Sequence, residues 1–200
     1  MRASGTGCRL KIVADSRACP ARILILYSTT DGHTAEICER IHAVLEQLGH
    51  AVRLVSLNDA DQADPGSFDK IVLGASIRYG RHQQQVYDFV ALHEKTLTKK
   101  PAAFFSVNVV ARKPQKKQPD TNPYMQKFLG QVAWRPDALA VFAGMIDYSK
   151  YRFFDRLMIR LIMALTHGPT RPDSAVDFTD WKQVEAFAAE IGAMQKASPR

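Results

Sequence analysis

A short apolar run that breaks directly into a hydroxyl-rich turn and then an amphipathic helix constrains this chain more than any other feature. It lies in ILILYSTTDGHTAEI, residues 23–37, and the run RILILY that begins at Arg22 carries apolar side chains at consecutive positions. That is the pattern of a strand buried on both faces. Residues 34–48 then place Ile37, Ile41, Val44, Leu45 and Leu48 on one stripe, and Gly49 ends it. A strand covered on both faces needs helices on both sides, so the unit predicts a parallel sheet.

The pattern recurs along the chain. AVRLVSL (51–57) and DKIVLGAS (69–76) predict the second and third strands, joined by a short, irregular crossover. Residues 83–97 have helical period, PAAFFSVN (101–108) predicts the fourth strand, and residues 122–132 a shorter helix after a basic loop. ALAVFAGM (138–145) predicts the fifth strand, and a helix over about residues 181–194 closes the chain with Thr179 as its N-cap. The expectation is an α/β, doubly wound, five-stranded parallel sheet with helices on both faces. With 200 residues, 46% of them hydrophobic, one core accounts for the chain, and the domain is expected over residues 22–195.

Residues 1–21 contain no continuous apolar h-region and predict a poorly ordered extension. No run reaches the roughly 18 to 20 apolar residues of a spanning helix. Cys8, Cys19 and Cys38 form neither a metal-ligand spacing nor an even disulfide set, so a reduced chain without a metal site is expected, with Cys38 packed in the first helix.

In doubly wound sheets ligands bind beyond the carboxyl ends of the strands. Three loops qualify: STTDGHT after the first strand, ASIRYG after the third and SVNVVARKPQKK after the fourth. In the first, the hydroxyls of Ser28, Thr29, Thr30 and Thr34 can donate to phosphate oxygens, and Gly32 lets the backbone approach closely. The loop has no lysine and fits neither GxxxxGK[ST] nor GxGxxG, which argues against a nucleotidase P-loop and a dinucleotide fingerprint. A helix cap and a monophosphate cradle both fit these residues. His33 either adds a pH-dependent phosphate contact or faces solvent.

The strand, hydroxyl-glycine loop and helix resemble the flavodoxin phosphate loop. GASIRYG, SVNVVARKP, WRPD with its apolar strand and AG, YRFFDRLMIRLIM and the terminal TDW helix are together similar to the flavodoxin-like, quinone-dependent protoporphyrinogen IX dehydrogenase family of bacteria. The resemblance runs from about Arg22 to Met194. It implies a flavodoxin-like FMN-binding domain, with Ser28, Thr29, Thr30, Asp31, Gly32, His33 and Thr34 holding the phosphate. Ser76, Ile77, Arg78, Tyr79 and Gly80 would flank the isoalloxazine and ribityl chain, and Ser106, Val107, Asn108 and Val109 would line the other side. Tyr79 offers a stacking face, and backbone groups at Gly80 or Asn108 offer hydrogen bonds to the flavin's pyrimidine edge.

The implied activity is FMN-dependent oxidation of protoporphyrinogen IX to protoporphyrin IX in heme biosynthesis, with menaquinone or ubiquinone as acceptor. The implied location is the cytoplasm, peripheral to the cytoplasmic face of the inner membrane. The residues show no arrangement of their own for side-chain catalysis, and Tyr79, His82 and His167 are the candidates should a proton acceptor be needed.

A formal charge of +7 predicts an anionic partner. Much of it falls in a basic loop over residues 109–121, with Arg112, Lys113, Lys116 and Lys117, and in an inserted segment over residues 148–166. As a helix over residues 151–165 that segment puts Arg152, Asp155, Arg156 and Arg160 within an arc of about 140° beside a wide apolar face, which suits an anionic membrane surface as well as packing on the sheet. Arg112, Lys113, Arg152, Arg156 and Arg160 are therefore candidate substrate or membrane contacts. A flavodoxin-type electron carrier or a general FMN-dependent quinone reductase is the alternative, and the positive charge opposes the carrier. The stretch ARKPQKK lacks interleaved aromatics, which argues against nucleic acid as a partner.

Overall fold

The computed structural model describes residues 20–147 and 175–195. Among these residues the strands are β1 (Arg22–Ser28), β2 (Ala51–Ser56), β3 (Lys70–Arg78), β4 (Arg81–His82), β5 (Ala102–Val107), β6 (Ala138–Phe142), β7 (Met145–Asp147) and β8 (Ala175–Asp177). The helices are α1 (His33–Gln47), α2 (Gln84–Lys99), α3 (Pro123–Gln131) and α4 (Trp181–Ala193). Strands β2, β1, β3, β5 and β6 pair in that order, every pair parallel, as the alternating pattern predicted. The crossover from β2 to β3 is two 3-10 turns, Leu57–Gln62 and Pro65–Ser67.

Side chains alternate across the sheet and build two cores. Leu24, Leu26, Ile71, Leu73 and Phe104 face one side, where Val86, Phe89, Phe128 and Trp134 cover them. Ile23, Ile25, Val72, Phe105 and Phe142 face the other, against Ile37, Ile41, Leu45, Phe187 and Ile191. Cys38 belongs to this second layer, where burial raises its thiol pKa and holds it protonated. Gly74 lies beside Phe105 in the β3–β5 pairing, and a Cβ there would run into the Phe105 ring.

Three local features depart from expectation. Strand β4 folds back on the end of β3 as a short antiparallel hairpin, with Ile77 opposite His82. Strands β7 and β8 form a second antiparallel pair beyond the main sheet, with Met145 opposite Asp177. Finally, the cap of α4 is Asp180 and not Thr179: the Asp180 carboxylate accepts from the Gln183 N–H at 3.2 Å. Thr179 is occupied elsewhere, because its hydroxyl donates to the Ala143 carbonyl at 2.9 Å.

Candidate functional site

Loops at the carboxyl ends of β1, β3, β5 and β6 converge on one open cleft. It is lined by Thr29, Asp31, His33 and Thr34 from the first loop, Ser76 and Ile77 from the third strand, Val107, Asn108 and Val109 from the fourth predicted strand, and Gly144 and Met145 after β6. Nine of these positions were predicted from sequence. Gly144 and Met145 were not, although the rule that selected the other three loops applies equally to the AG that follows ALAVF.

The first loop opens α1 without a side-chain cap. Gly32 takes φ +90°, a conformation glycine adopts without strain, and so turns the chain from β1 into α1. Its N–H donates to the Thr29 hydroxyl at 3.0 Å. No side chain caps α1, whose first intrahelical bond runs from Ala35 N–H to Gly32 O. The N–H groups of His33 and Thr34 thus have no acceptor within the helix. Thr34 is 1% exposed, and its hydroxyl is buried without a hydrogen-bond partner among the described residues while its residue lines the cleft. An uncapped helix start with an orphaned buried hydroxyl beside it suits a bound anionic oxygen.

His33 neither faces solvent nor stands apart from the fold. It is 6% exposed, its Nε2 lies 2.7 Å from the Thr179 hydroxyl and its Nδ1 2.9 Å from the Glu36 carboxylate. Asp177 is a further 3.6 Å neighbour. Burial opposes ionisation of Asp177, but the hydrogen bond from the Thr179 N–H, the charge of His33 and the Trp181 indole outweigh it and lower the carboxyl pKa.

The remaining predicted residues of the first loop lie behind the cleft or at its rim. Ser28 is buried and accepts from the Gln85 amide at 2.9 Å, and the Thr30 hydroxyl accepts from Gln83 at 3.0 Å. At the rim, Arg78 reaches back to Asp31 at 3.3 Å and its guanidinium lies 5.1 Å from the centre of the Tyr79 ring. Tyr79 is 70% exposed and holds φ +51°, next to Gly80 at +76°. This tight β3–β4 turn demands a left-handed conformation from a non-glycine residue, a strain typical of functional loops.

On the opposite wall, Asn108 is already committed. Its N–H donates to Phe142 O, its carbonyl accepts from Ala111 N–H, and its side-chain oxygen accepts from the same amide at 3.1 Å. The hydrogen bonds expected of it toward a flavin edge must come from its neighbours. The 3-10 turn Val109–Arg112 leaves the first N–H groups, those of Val109 and Val110, without partners in the turn. Ser106 is fully buried behind this wall.

Of the basic candidates, Arg112 donates to Val109 O at 3.3 Å and sits 6.0 Å from the centre of the Phe178 ring. Lys113 caps the second 3-10 turn of the basic loop, and Lys117 pairs with Asp180 at 3.7 Å. The basic loop thus leans on the segment between β8 and α4. Arg152, Arg156, Arg160 and His167 lie outside the described residues. His82, a sequence candidate for proton acceptance, is 1% exposed and has its pKa pushed down to about 3 by burial, so it is not available to substrate. No group of histidine, cysteine and carboxylate side chains suited to a metal occurs among the described residues.

Comparison with known proteins agrees with this architecture. Residues 24–173 match the flavodoxin domain. The chain is 44% identical over 170 residues to the protoporphyrinogen IX dehydrogenase (quinone) of Escherichia coli K12, covering 85% of this chain and 94% of that protein. It is 40% identical over 179 residues to the protein of the same name from Leishmania major, covering 89% and 78%. A point mutant of flavodoxin from Pseudomonas aeruginosa superposes with a TM-score of 0.51 at 10% identity, covering 86% of this chain and 97% of that one, a likeness of fold alone. The chain belongs to the flavodoxin-domain family and, within it, to the family of the quinone-dependent protoporphyrinogen IX dehydrogenases.

Proposed function

We propose that this chain oxidises protoporphyrinogen IX to protoporphyrin IX in heme biosynthesis, holding FMN in the cleft and delivering the electrons to menaquinone or ubiquinone. The substrate and acceptor rest on the names of the relatives at 44% and 40% identity. The cofactor rests on the flavodoxin domain and on one observation above all: the unpartnered Thr34 hydroxyl at the uncapped start of α1, inside the cleft.

Thr34, with the N–H groups of the first turn of α1, holds the phosphate, and the helix dipole favours its negative charge. Ile77, Val107 and Val109 wall the isoalloxazine, and the turn that carries Val109 and Val110 offers N–H donors to its polar edge. The bound flavin supplies the redox chemistry, so that the porphyrinogen is oxidised and the quinone reduced. The described residues contribute binding, orientation and exclusion of water. Tyr79, exposed at the rim and held in a strained turn, is the aromatic surface nearest in sequence to that wall and stacks against the flavin or the macrocycle.

No helix of the described residues is long and apolar enough to cross a membrane. Access to a lipid-soluble quinone therefore falls to a surface contact at the cytoplasmic face of the inner membrane, made by Arg152, Arg156 and Arg160 on the segment 148–166 with Arg112 and Lys113 beside the cleft. The net charge of +7 supports such a contact and opposes an acidic carrier.

The decisive experiment is anaerobic oxidation of protoporphyrinogen IX with and without quinone, read by porphyrin fluorescence on FMN-loaded protein. A quinone-dependent rate is expected; flavin-loaded protein without one is a carrier, and protein that cannot be loaded with FMN ends both readings. Replacing Arg152, Arg156 and Arg160 together with glutamate is expected to weaken binding to anionic liposomes, and unchanged binding would return that face to packing on the fold.

A further inference from the structure

Behind the wall formed by Val107 to Val109, four polar side chains, each at least 95% buried, form one run of hydrogen bonds. The Asn122 carboxamide oxygen accepts from the N–H groups of Tyr124 and Met125, so its nitrogen is the donor to Asn108 Oδ1 at 3.2 Å. Asn108 Oδ1 also accepts from the Ala111 N–H, which turns its own nitrogen toward Ser106 Oγ at 3.3 Å. Backbone donors thus fix the orientation of both amides. Ser106 is fully buried and Asn108 donates to it, so His82 Nε2 at 3.0 Å is the acceptor left among the described residues for its hydroxyl hydrogen. The donors run in one direction, from Asn122 through Asn108 and Ser106 to a neutral His82 that carries its hydrogen on Nδ1.

This run ties the β4 hairpin and the end of β5, which share only β3 as a neighbour in the sheet, to the start of α3. His82 sits in β4, just past the strained Tyr79–Gly80 turn, and its ring packs edge-on against Phe104 and Phe128. Ser106 lies in β5, and Asn108 follows its last residue as the cap of the Val109–Arg112 turn. Asn122 caps α3 and donates to Lys116 O at 2.8 Å, closing the basic loop. A buried amide or hydroxyl left without its partner forfeits its hydration without compensation, so the groups move together or not at all.

We propose that His82 is a positioning residue for the cofactor cleft: acting through Ser106, it locks Asn108 and with it the Val109–Arg112 turn that forms one wall. It touches neither cofactor nor substrate, and the proposal rests on the flavin reading of that cleft. His82→Phe keeps a ring among Phe104, Phe128 and Tyr87 but removes the acceptor, and Ser106→Ala removes the middle link without disturbing the aromatic cluster. His82→Gln restores an acceptor.

Two readouts test the idea on the full chain. In titrations with FMN, His82→Phe and Ser106→Ala are each expected to raise the Kd about 10-fold and to shift the visible absorption band of the bound flavin. The double variant should be no weaker than either single one, and His82→Gln should rescue the affinity. Without cofactor, hydrogen exchange of the Ala111 amide is expected to quicken about 10-fold in His82→Phe. Folded His82→Phe and Ser106→Ala proteins with unchanged affinity, band and Ala111 exchange overturn the proposal. A wild-type chain that binds no FMN overturns the flavin reading instead, and is told apart because the Ala111 exchange still responds.

Discussion

Nε2 of His33 lies 2.7 Å from the hydroxyl of Thr179, across 146 positions of sequence. Because that hydroxyl donates to Ala143 O at 2.9 Å, its oxygen accepts from the imidazole Nε2–H. The contact ties the first turn of α1 to the loop between β8 and α4, and through Ala143 to the end of β6. Two elements that border the cleft, and the loop that leads into α4, are thus tied together through one side chain that sequence reasoning assigned to phosphate or solvent.

Thr179→Val therefore removes a shared partner and leaves both the His33 N–H and the Ala143 carbonyl unsatisfied. Unfolding in urea should show a loss of about 1 to 3 kcal/mol. A loss below a few tenths would mean that water replaces the hydroxyl at no cost.

Thr34→Val gives the opposite pattern. The substitution keeps the shape and deletes a buried hydroxyl that has no partner among the described residues. Stability without cofactor should hold or rise slightly, while the FMN Kd, read by fluorescence titration, should rise about 10-fold. Unchanged affinity would show that the hydroxyl does not face the phosphate.

Gly74→Ala probes the frame behind the site. Its Cβ would meet the Phe105 ring, itself fixed among Phe142 and Phe187 in the second core. Overpacking of this kind costs about 1 to 3 kcal/mol, visible as a lower Tm and relieved in the double variant Gly74→Ala with Phe105→Leu. An unaltered Tm in the single variant would mean that the ring moves freely.

The parts legible in the sequence are those set by local chemistry. RILILY and KIVLG are apolar at nearly every position, and such runs have few alternatives to a central parallel strand. The glycine and hydroxyls of STTDGHT announced the helix start, and among the described residues the Thr34 hydroxyl has no partner there. What escaped depends on distant contacts. The β7–β8 pair joins residues 28 or more positions apart through three-residue strands too short to carry a pattern. Hairpin β4 turns on a tyrosine at positive φ, where the sequence offers no glycine until the next position. Thr179 and Asp180 are both good caps by type, and only the claim of His33 and Ala143 on Thr179 left the role to Asp180.

The acid response of stability should carry the signature of His82. Burial lowers its pKa from the ordinary 6.5 to about 3, and its neighbours Phe104, Phe128, Ser106 and Tyr87 are uncharged in that window. Above pH 6.5 folded and unfolded chains both hold the ring neutral, and its contribution to stability is fully present. As pH falls below 6.5 the unfolded chain takes up a proton that the folded chain refuses, and the contribution drains away until the folded pKa is reached. His82→Gln cannot titrate. The stability difference between wild type and His82→Gln, measured by urea unfolding, should therefore shrink between pH 7 and pH 4 by up to roughly 3 kcal/mol. Parallel pH profiles for the two proteins would mean that the folded chain takes up a proton at His82 as readily as the unfolded one, so that burial does not hold the ring neutral and its Nε2 donates to Ser106 once protonated.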